Sequence, residues 1–298
     1  MGGNKWFDFY NTIGDKQRAY LYIQDNWFFR YFDSVLNDWR LCKALDDKSL
    51  YDLYFAGINK PHTIAYCCDG LWMTEGYKMS TIENVADVCR KYGTVIIKPS
   101  VGSSGGHGIS FWKEGKKDIE VLFSDYRNCV VQEIIKQHQD LAAIHSESIN
   151  TIRIMSMVLN GEVHLLSSIL RMGTGNSKVD NVSFGGVACG IDENGCLRDT
   201  TWNSKGQHWK GHPQGVELLG RKVPAFEQCN DLVKEIAPRF AKLVSWDFAV
   251  DNNENPLLIE ANLYGGELDF HQMCNGPIFG DENTTRAMIK LFYKNNSK

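Results

Sequence analysis

The sequence predicts an α+β fold: a small, mainly helical N-terminal part, then a larger part mixing strands with helices. Three observations carry this. From Phe28 the apolar residues Phe32, Val35/Leu36, Trp39, Cys42 and Leu45 return at helical spacing. From residue 94 onward, β-branched and apolar runs of strand length recur between polar loops. The composition, 43% hydrophobic and 23% charged, is that of an ordinary globular chain of 298 residues.

Element by element, the stripe from Phe28 reads as a helix whose aromatic face is core. Asp46 and Asp47 form a candidate N-cap for a second helix through Lys48, Leu50, Leu53 and Tyr54, with Gly57 as its stop and Pro61 beyond. Residues 66–72 read as a short strand region. A helix from Ser80 through Ile82, Val85, Val88 and Cys89 ends at Gly93, ahead of the strand run 94–97. Residues 109–112, 130–135, 151–159 and 163–171 read as strands, the last two joined at Asn160-Gly161. Residues 172–222, rich in Gly, Asn and Ser, read as loop. A helix over 224–243 meets an obstacle at Pro238. Strands over 244–250 and 257–262 and a final amphipathic helix over 284–293 complete the order. The expected division is a helical region over 1–75, a central subdomain over 76–145 and a C-terminal subdomain over 146–298.

Charge and composition remove several function classes. Lys and Arg number 32 against 36 Asp and Glu, a net charge of −4, without the basic excess of a nucleic-acid binder. No apolar run approaches the roughly 20 residues of a membrane helix, so membrane insertion is not expected. The polar first residues lack the apolar run of a signal peptide. The nine cysteines are odd in number and form no CxxC pair, as reduced cytoplasmic thiols would. The 27 glycines are about 9% of the chain against an average near 7%, and many fall in the segments described next.

Four segments carry chemistry. In the first, a buried strand ends at Lys98 and a Gly/Ser loop follows, Ser100 to Gly108. Consecutive loop N–H groups form a concavity for anions, and the ammonium adds charge; a plain hairpin turn is the alternative. Lys98 precedes the glycines, so this is no Walker A loop, and no GxGxxG opens a helix. In the second, residues 246–262 read as a hairpin. If 252–255 is its loop, Asp251 pairs with Pro256 and Asp247 falls opposite Glu260, with Asn262 on the same face. Opposed like charges are unfavourable unless a cation lies between them, and carboxylate and amide oxygens suit Mg²⁺. A solvated acidic face is the alternative, weakened by Phe248, Leu258 and Ile259. The third segment, from Val130 through Gln132, Glu133, Ile134 and Ile135, is a strand meeting a loop. The fourth joins Arg153 and Arg171, in strand-like runs, to Asn181 and to Gly185-Gly186; each arginine reads by default as surface-exposed, with pairing to an anion as the alternative.

In this order the segments resemble the ATP-grasp superfamily, and more narrowly the sugar-transfer-associated ATP-grasp proteins of polysaccharide biosynthesis. The narrower match rests on residues 150–153, 170–173, 179–181, Gly185-Gly186, His212-Pro213, Trp246-Asp247 and residues 260–262, and covers roughly residues 46–275. The resemblance implies an ATP-grasp fold of two α+β subdomains gripping the nucleotide. Lys48 and Lys98 would hold phosphates under the loop of Ser100, Ser103, Ser104, Gly105 and Gly106. The hinge at Gln132, Glu133, Ile134 and Ile135 would read adenine, and Asp140 would meet the ribose. Asp247, Glu260 and Asn262 would bind Mg²⁺. Arg153, Arg171 and Asn181 would face the transferred phosphoryl group, and Gly185, Gly186 and His212 the substrate. His208 and His212 could also be read as a metal pair, although Gly211 and Pro213 argue against one helix face. Residues 1–75 depart from the Rossmann-like start of many relatives, which bears on the second-substrate pocket.

The implied activity is that of an ADP-forming, Mg²⁺-dependent carboxylate–amine ligase acting through an acyl-phosphate on small-molecule carboxylate and amine substrates. A sugar acid or amino acid of surface polysaccharide biosynthesis is the implied substrate class. The alternatives are an ATP-grasp phosphotransferase acting on a glycan or polyol hydroxyl, and a non-catalytic glycan-assembly adaptor.

Overall fold

The helical stripe expected from Phe28 breaks at Asn37. The computed structural model, which describes residues 18–102, 106–116, 118–182, 185–264 and 266–295, starts this region as α1 (Asp25–Phe28). It continues through a π-helical stretch (Phe29–Asp33) into α2 (Ser34–Leu36), then restarts as α3 (Trp39–Leu45). Asn37 is extended, and its buried amide is a clamp. Nδ2 donates to the carbonyls of Leu243 (2.6 Å) and Leu263 (3.0 Å), and Oδ1 accepts from the N–H groups of Lys242 and Leu243 (3.1 Å each). Because the helix restarts in a new orientation, Trp39 leaves the core expected of it and stands 58% exposed. Asn37→Ala removes a buried partner from several backbone groups at once. It is expected to destabilise the protein by roughly 2–3 kcal/mol, read as a fall in Tm on thermal unfolding.

Asp47 caps the next turn as expected, accepting from Ser49 N (2.9 Å); a 3₁₀ turn (Lys48–Leu50) leads into α4 (Tyr51–Tyr54). A six-stranded antiparallel sheet follows. It contains β1 (Thr63–Cys68), β2 (Leu71–Thr74), β3 (Lys78–Met79), β4 (Thr94–Pro99), β5 (Ser110–Lys113) and β6 (Cys129–Glu133), in the order β3-β2-β1-β6-β4-β5. The sheet therefore begins at Thr63, inside residues expected to belong to the helical region. On one face α5 (Ile82–Tyr92), capped by Thr81 and stopped by Gly93, and α6 (Ile119–Phe123) bury Val85, Cys89, Ile119 and Phe123 against Val95 and Ile97. Alternation then turns Ile96 and Lys98 to the opposite face.

Past β6 the chain crosses to a second sheet at Gln137, which bridges to Asp251, and forms the short α7 (Gln139–Ala142). This sheet has seven strands: β7 (Thr151–Leu159), β8 (Glu162–Met172), β9 (Val187–Ile191), β10 (Leu197–Trp202), β11 (His208–Lys210), β12 (Leu243–Val250) and β13 (Pro256–Asn262). Their order is β11-β10-β9-β8-β7-β12-β13, all antiparallel. Three of them, β9 to β11, lie in the stretch expected to be loop. They are short, and β9 holds Gly190, where a Cβ would stand 2.3 Å from Asn275 Oδ1 and 2.7 Å from the Cys274 carbonyl. Glycine there serves close packing rather than a turn, so its presence misleads a reading by composition.

Both faces of this sheet are covered in part by the N-terminal helices. Ile152, Ile154, Trp246, Phe248 and Val250 pack with α8 (Phe226–Ile236) and with Cys42, Tyr51 and Phe55. The helix expected over 224–243 thus ends earlier, with Pro238 in a 3₁₀ turn (Ala237–Arg239). On the other face Met155, Met157 and Leu243 pack with Phe28, Phe32 and α10 (Glu282–Asn295), beside α9 (Leu268–Asn275). Seven of the nine cysteines are buried and pack as small apolar groups. Among the described residues no helix is long and apolar enough to cross a membrane.

Candidate active site

Strand alternation decides which side chains meet. With Ile152 and Ile154 in the core against α8, Thr151 and Arg153 must point the other way. The same holds for Arg171 on β8 between Leu170 and Met172, and for Asp247 on β12 between Trp246 and Phe248. Register then aligns them: Arg153 lies opposite Asp247, Thr151 opposite Arg171, and Asp247 opposite Glu260. The result is one wall of a cavity of about 580 Å³; Lys98 and Gly106 of the first sheet's region also line it. Gly106 has φ +81°, a left-handed conformation that side chains disfavour.

Asp247 is the hub. Arg153 Nε and Nη2 donate to its two oxygens at 2.6 Å each, Arg171 Nη1 donates at 3.1 Å and Asn262 Nδ2 at 3.3 Å. Burial alone would push this carboxyl up. The charge and hydrogen bonds of Arg153, with the Arg171 charge, outweigh it and hold Asp247 below the usual carboxylate range. Arg153 also pairs with Glu267, which stands at φ +58° just before α9. Thr151 Oγ1 donates to Asp180, whose carboxyl is raised by burial although Arg171 opposes this.

Lys48 Nζ lies 2.7 Å from Glu260 Oε1, and its backbone N–H donates to the Ser100 carbonyl (2.8 Å). Lys98 is brought down to about 8 by burial, with the Lys48 charge adding to the effect. Its folded value lies below the ordinary 10.5, so the unfolded chain binds more protons between the two values. Stability therefore rises as pH climbs through that window, and holding the charged lysine buried is unfavourable near neutrality. An anion bound at Lys98 would raise the value again, so anion binding takes up a proton above about pH 8. The Kd of a polyphosphate anion bound there is expected to be level below that pH and to rise up to about tenfold per pH unit above it. Lys98→Met removes this slope in a calorimetric pH series.

The cavity thus gathers Lys48, Lys98, Gly106, Arg153, Arg171, Asn181, Asp247, Glu260 and Asn262 from among the expected site residues. Ser103, Ser104 and Gly105 lie outside the described residues. Others do not line it. Ser100 is buried and meets Lys48 through its backbone. Gln132 Nε2 turns to Thr63 Oγ1 (3.2 Å) and Glu133 N to the His62 carbonyl (3.1 Å), while Ile134 and Ile135 belong to the crossing between the sheets. Asp140 faces a separate cavity of about 510 Å³ with Asn194 and Lys222, because α7 lies on the far side of the crossing. Gly185 and Gly186 close the loop behind Asn181, whose carbonyl accepts from Gly186 N (3.0 Å). His212 is a buried support: Nε2 lies 2.9 Å from the Gly173 carbonyl, and burial lowers its pKa. His208 lies tilted against the Trp202 ring instead, with centroids 4.7 Å apart, and does not join His212. Sequence reasoning missed Asp46, Lys43, Trp39, Asp180, Tyr264 and Glu267, which also line the cavity.

Among the described residues no three His, Cys, Asp or Glu side chains gather as a metal cluster. Asp247 has both oxygens committed to guanidinium groups. Asn262 commits Nδ2 to Asp247 and to the Ser245 carbonyl (3.2 Å), which leaves Oδ1 as its acceptor. Glu260 and Asn262 therefore fit Mg²⁺, which takes one or two protein ligands beside substrate phosphates; Asp247 acts through its arginines.

The sugar-transfer associated ATP-grasp family matches residues 121–285. No curated protein matches the sequence. Among solved structures, the biotin carboxylase domain of the Hydrogenobacter thermophilus 2-oxoglutarate carboxylase, in complex with MgADP, ADP and bicarbonate, aligns with a TM-score of 0.51 at 14% identity. The alignment covers 97% of this chain and 58% of that one. D-alanyl-alanine synthetase A from Vibrio cholerae aligns with a TM-score of 0.47 at 13% identity over 82% of this chain and 63% of that one. The chain thus spans less than two thirds of either structure. The first of these alignments carries the fold: two antiparallel sheets facing one cavity in the ATP-grasp arrangement.

Proposed function

Because this chain belongs to the sugar-transfer associated ATP-grasp family, we propose that it is an ADP-forming carboxylate–amine ligase that binds Mg·ATP in the cavity between its sheets. The supporting observation is the arrangement of charge: Lys48 and Lys98 near one another, Arg153 and Arg171 beside them, and Glu260 and Asn262 available to a cation, all around one volume. Lys48 and Lys98 hold the phosphates. Glu260 and Asn262 hold Mg²⁺, which neutralises charge on the β- and γ-phosphates. Asp247 fixes the planes of Arg153 and Arg171, so both guanidinium groups are set before the substrate arrives and need little reorganisation. The substrate carboxylate takes the γ-phosphoryl group, giving ADP and an acyl-phosphate; an amine then displaces phosphate to form the amide. The chain contributes position and electrostatics rather than a covalent nucleophile.

The family's description, sugar-transfer associated, supports a sugar-linked substrate, which we take to be a sugar acid, or an amino acid to be attached to one, in cytoplasmic polysaccharide biosynthesis. Incubation with ATP, Mg²⁺, candidate acids and hydroxylamine tests the reaction. Hydroxamate forming in step with ADP is the expected result. Phosphate retained on a hydroxyl group of the product would identify a phosphotransferase instead, and no ADP release with any acid would leave the adaptor reading.

A further inference from the structure

One face of α3 has no role in the chemistry above. Trp39, Cys42, Lys43 and Asp46 all line the cavity, at the i, i+3, i+4, i+7 spacing of a single helix face. Trp39 opens this face yet is 58% exposed, an apolar surface that packing does not use. Lys43 Nζ stands 5.0 Å from its ring centroid. At the inner end, Asp46 leads to Lys48 and Glu260. The adjoining wall carries a second such aromatic: Tyr264 is 56% exposed, with its ring stacked on Phe29. The Asn37 clamp on the Leu263 carbonyl holds the start of α3 to this wall.

We propose that this face of α3 is the acceptor subsite, and that it takes a pyranose ring bearing an anionic substituent. The proposal rests on the ligase reading and deepens it. An aromatic face takes the C–H face of a sugar ring, the ammonium beside it pairs with a carboxylate or phosphate, and the Asp46 carboxylate accepts from ring hydroxyls. The anion paired with Lys43 is a recognition group and not the reacting one, which a ring held there presents at its inner end toward Arg153 and Arg171. A small aliphatic acid would leave Trp39 uncovered.

The test is saturation-transfer NMR on the full chain with Mg·AMP-PNP present, using glucuronic acid, glucose 1-phosphate, glucose and succinate as probes. Transfer to the ring protons of at least one anionic sugar is expected, with affinity about tenfold above glucose; the two anionic probes tell carboxylate from phosphate. Trp39→Ala should weaken binding about tenfold and Trp39→Tyr restore most of it. Lys43→Met should bring the anionic sugar to the level of glucose. The Kd of Mg·AMP-PNP should stay within about twofold in each variant, since none of these residues is assigned to the nucleotide. Transfer unchanged in Trp39→Ala, succinate binding as well as the sugars, or no transfer to either anionic sugar overturns the proposal. Wild-type protein that fails to bind Mg·AMP-PNP overturns the nucleotide reading instead, and the same probes on nucleotide-free protein then decide the subsite separately.

Discussion

Arg153→Leu is expected to lower stability by about 3–5 kcal/mol, the scale of leaving a buried charge without its partner, and to abolish turnover. Arg153 is 4% exposed and holds Asp247 by two hydrogen bonds at 2.6 Å and Glu267 by a third. Its loss leaves Asp247 with Arg171 alone as cation and frees Glu267 from the contact that accompanies its left-handed backbone. The effect has a pH signature. In the wild type the folded value of Asp247 lies below the ordinary one, so its contribution is present above about pH 4 and fades as pH falls through the folded value. In the variant, burial dominates and the carboxyl rises, so protonation relieves the strain. The Tm deficit should therefore be larger at about pH 8 than at about pH 4.5. A deficit independent of pH would mean that lost packing, rather than an unpaired carboxylate, causes it.

Glu260→Gln is expected to leave the fold intact and to reduce Mg²⁺-dependent ADP release by about a thousandfold. Glu260 is half-buried on β13, and its neighbour Ala261 keeps its own anchor, the Tyr51 hydroxyl that accepts from its N–H at 3.1 Å. The substitution conserves shape and removes the charge that faces Lys48 and, in the proposed reading, the cation. Raising Mg²⁺ should restore part of the rate, because Asn262 and the phosphates remain as ligands. A rate unchanged across a Mg²⁺ titration would remove Glu260 from the cation site.

The opposition of Asp247 and Glu260 was legible in the sequence, although by a different route from the observed one. A four-residue loop with Asp251 facing Pro256 was expected; Val250 faces Pro256 instead. Asp251 Oδ1 accepts from the N–H groups of Asn253 and Asn255 (2.9 and 2.8 Å), which takes Asp251 out of the ladder into a turn one residue longer than expected and shifts the register by one. A bulge between Asp247 and Phe248 restores it, so that Asp247 meets Glu260 as expected. The identity and face parity of β7, β8, β12 and β13 were readable because their side chains alternate between two faces, whereas the short strands β9 to β11 read as loop. The placement of the N-terminal helices was not readable: Phe32 and Cys42 read as one apolar stripe, but which sheet face each covers depends on partners about 100 residues or more away. Asp140, which the resemblance assigns to the ribose, lines a separate cavity, a placement set by where α7 packs rather than by its own sequence. The spacing of Trp39, Cys42, Lys43 and Asp46 was present in the sequence, but a helical stripe alone does not say whether it faces core or cavity.

The most direct measurement is a calorimetric titration of Mg·AMP-PNP into wild-type protein and into Lys98→Met near neutral pH. The account predicts saturable binding to the wild type and a Kd at least about tenfold weaker in the variant, whose fold should be slightly more stable because a buried ammonium has been removed. No binding to the wild type, or equal affinity in the two proteins, would contradict it.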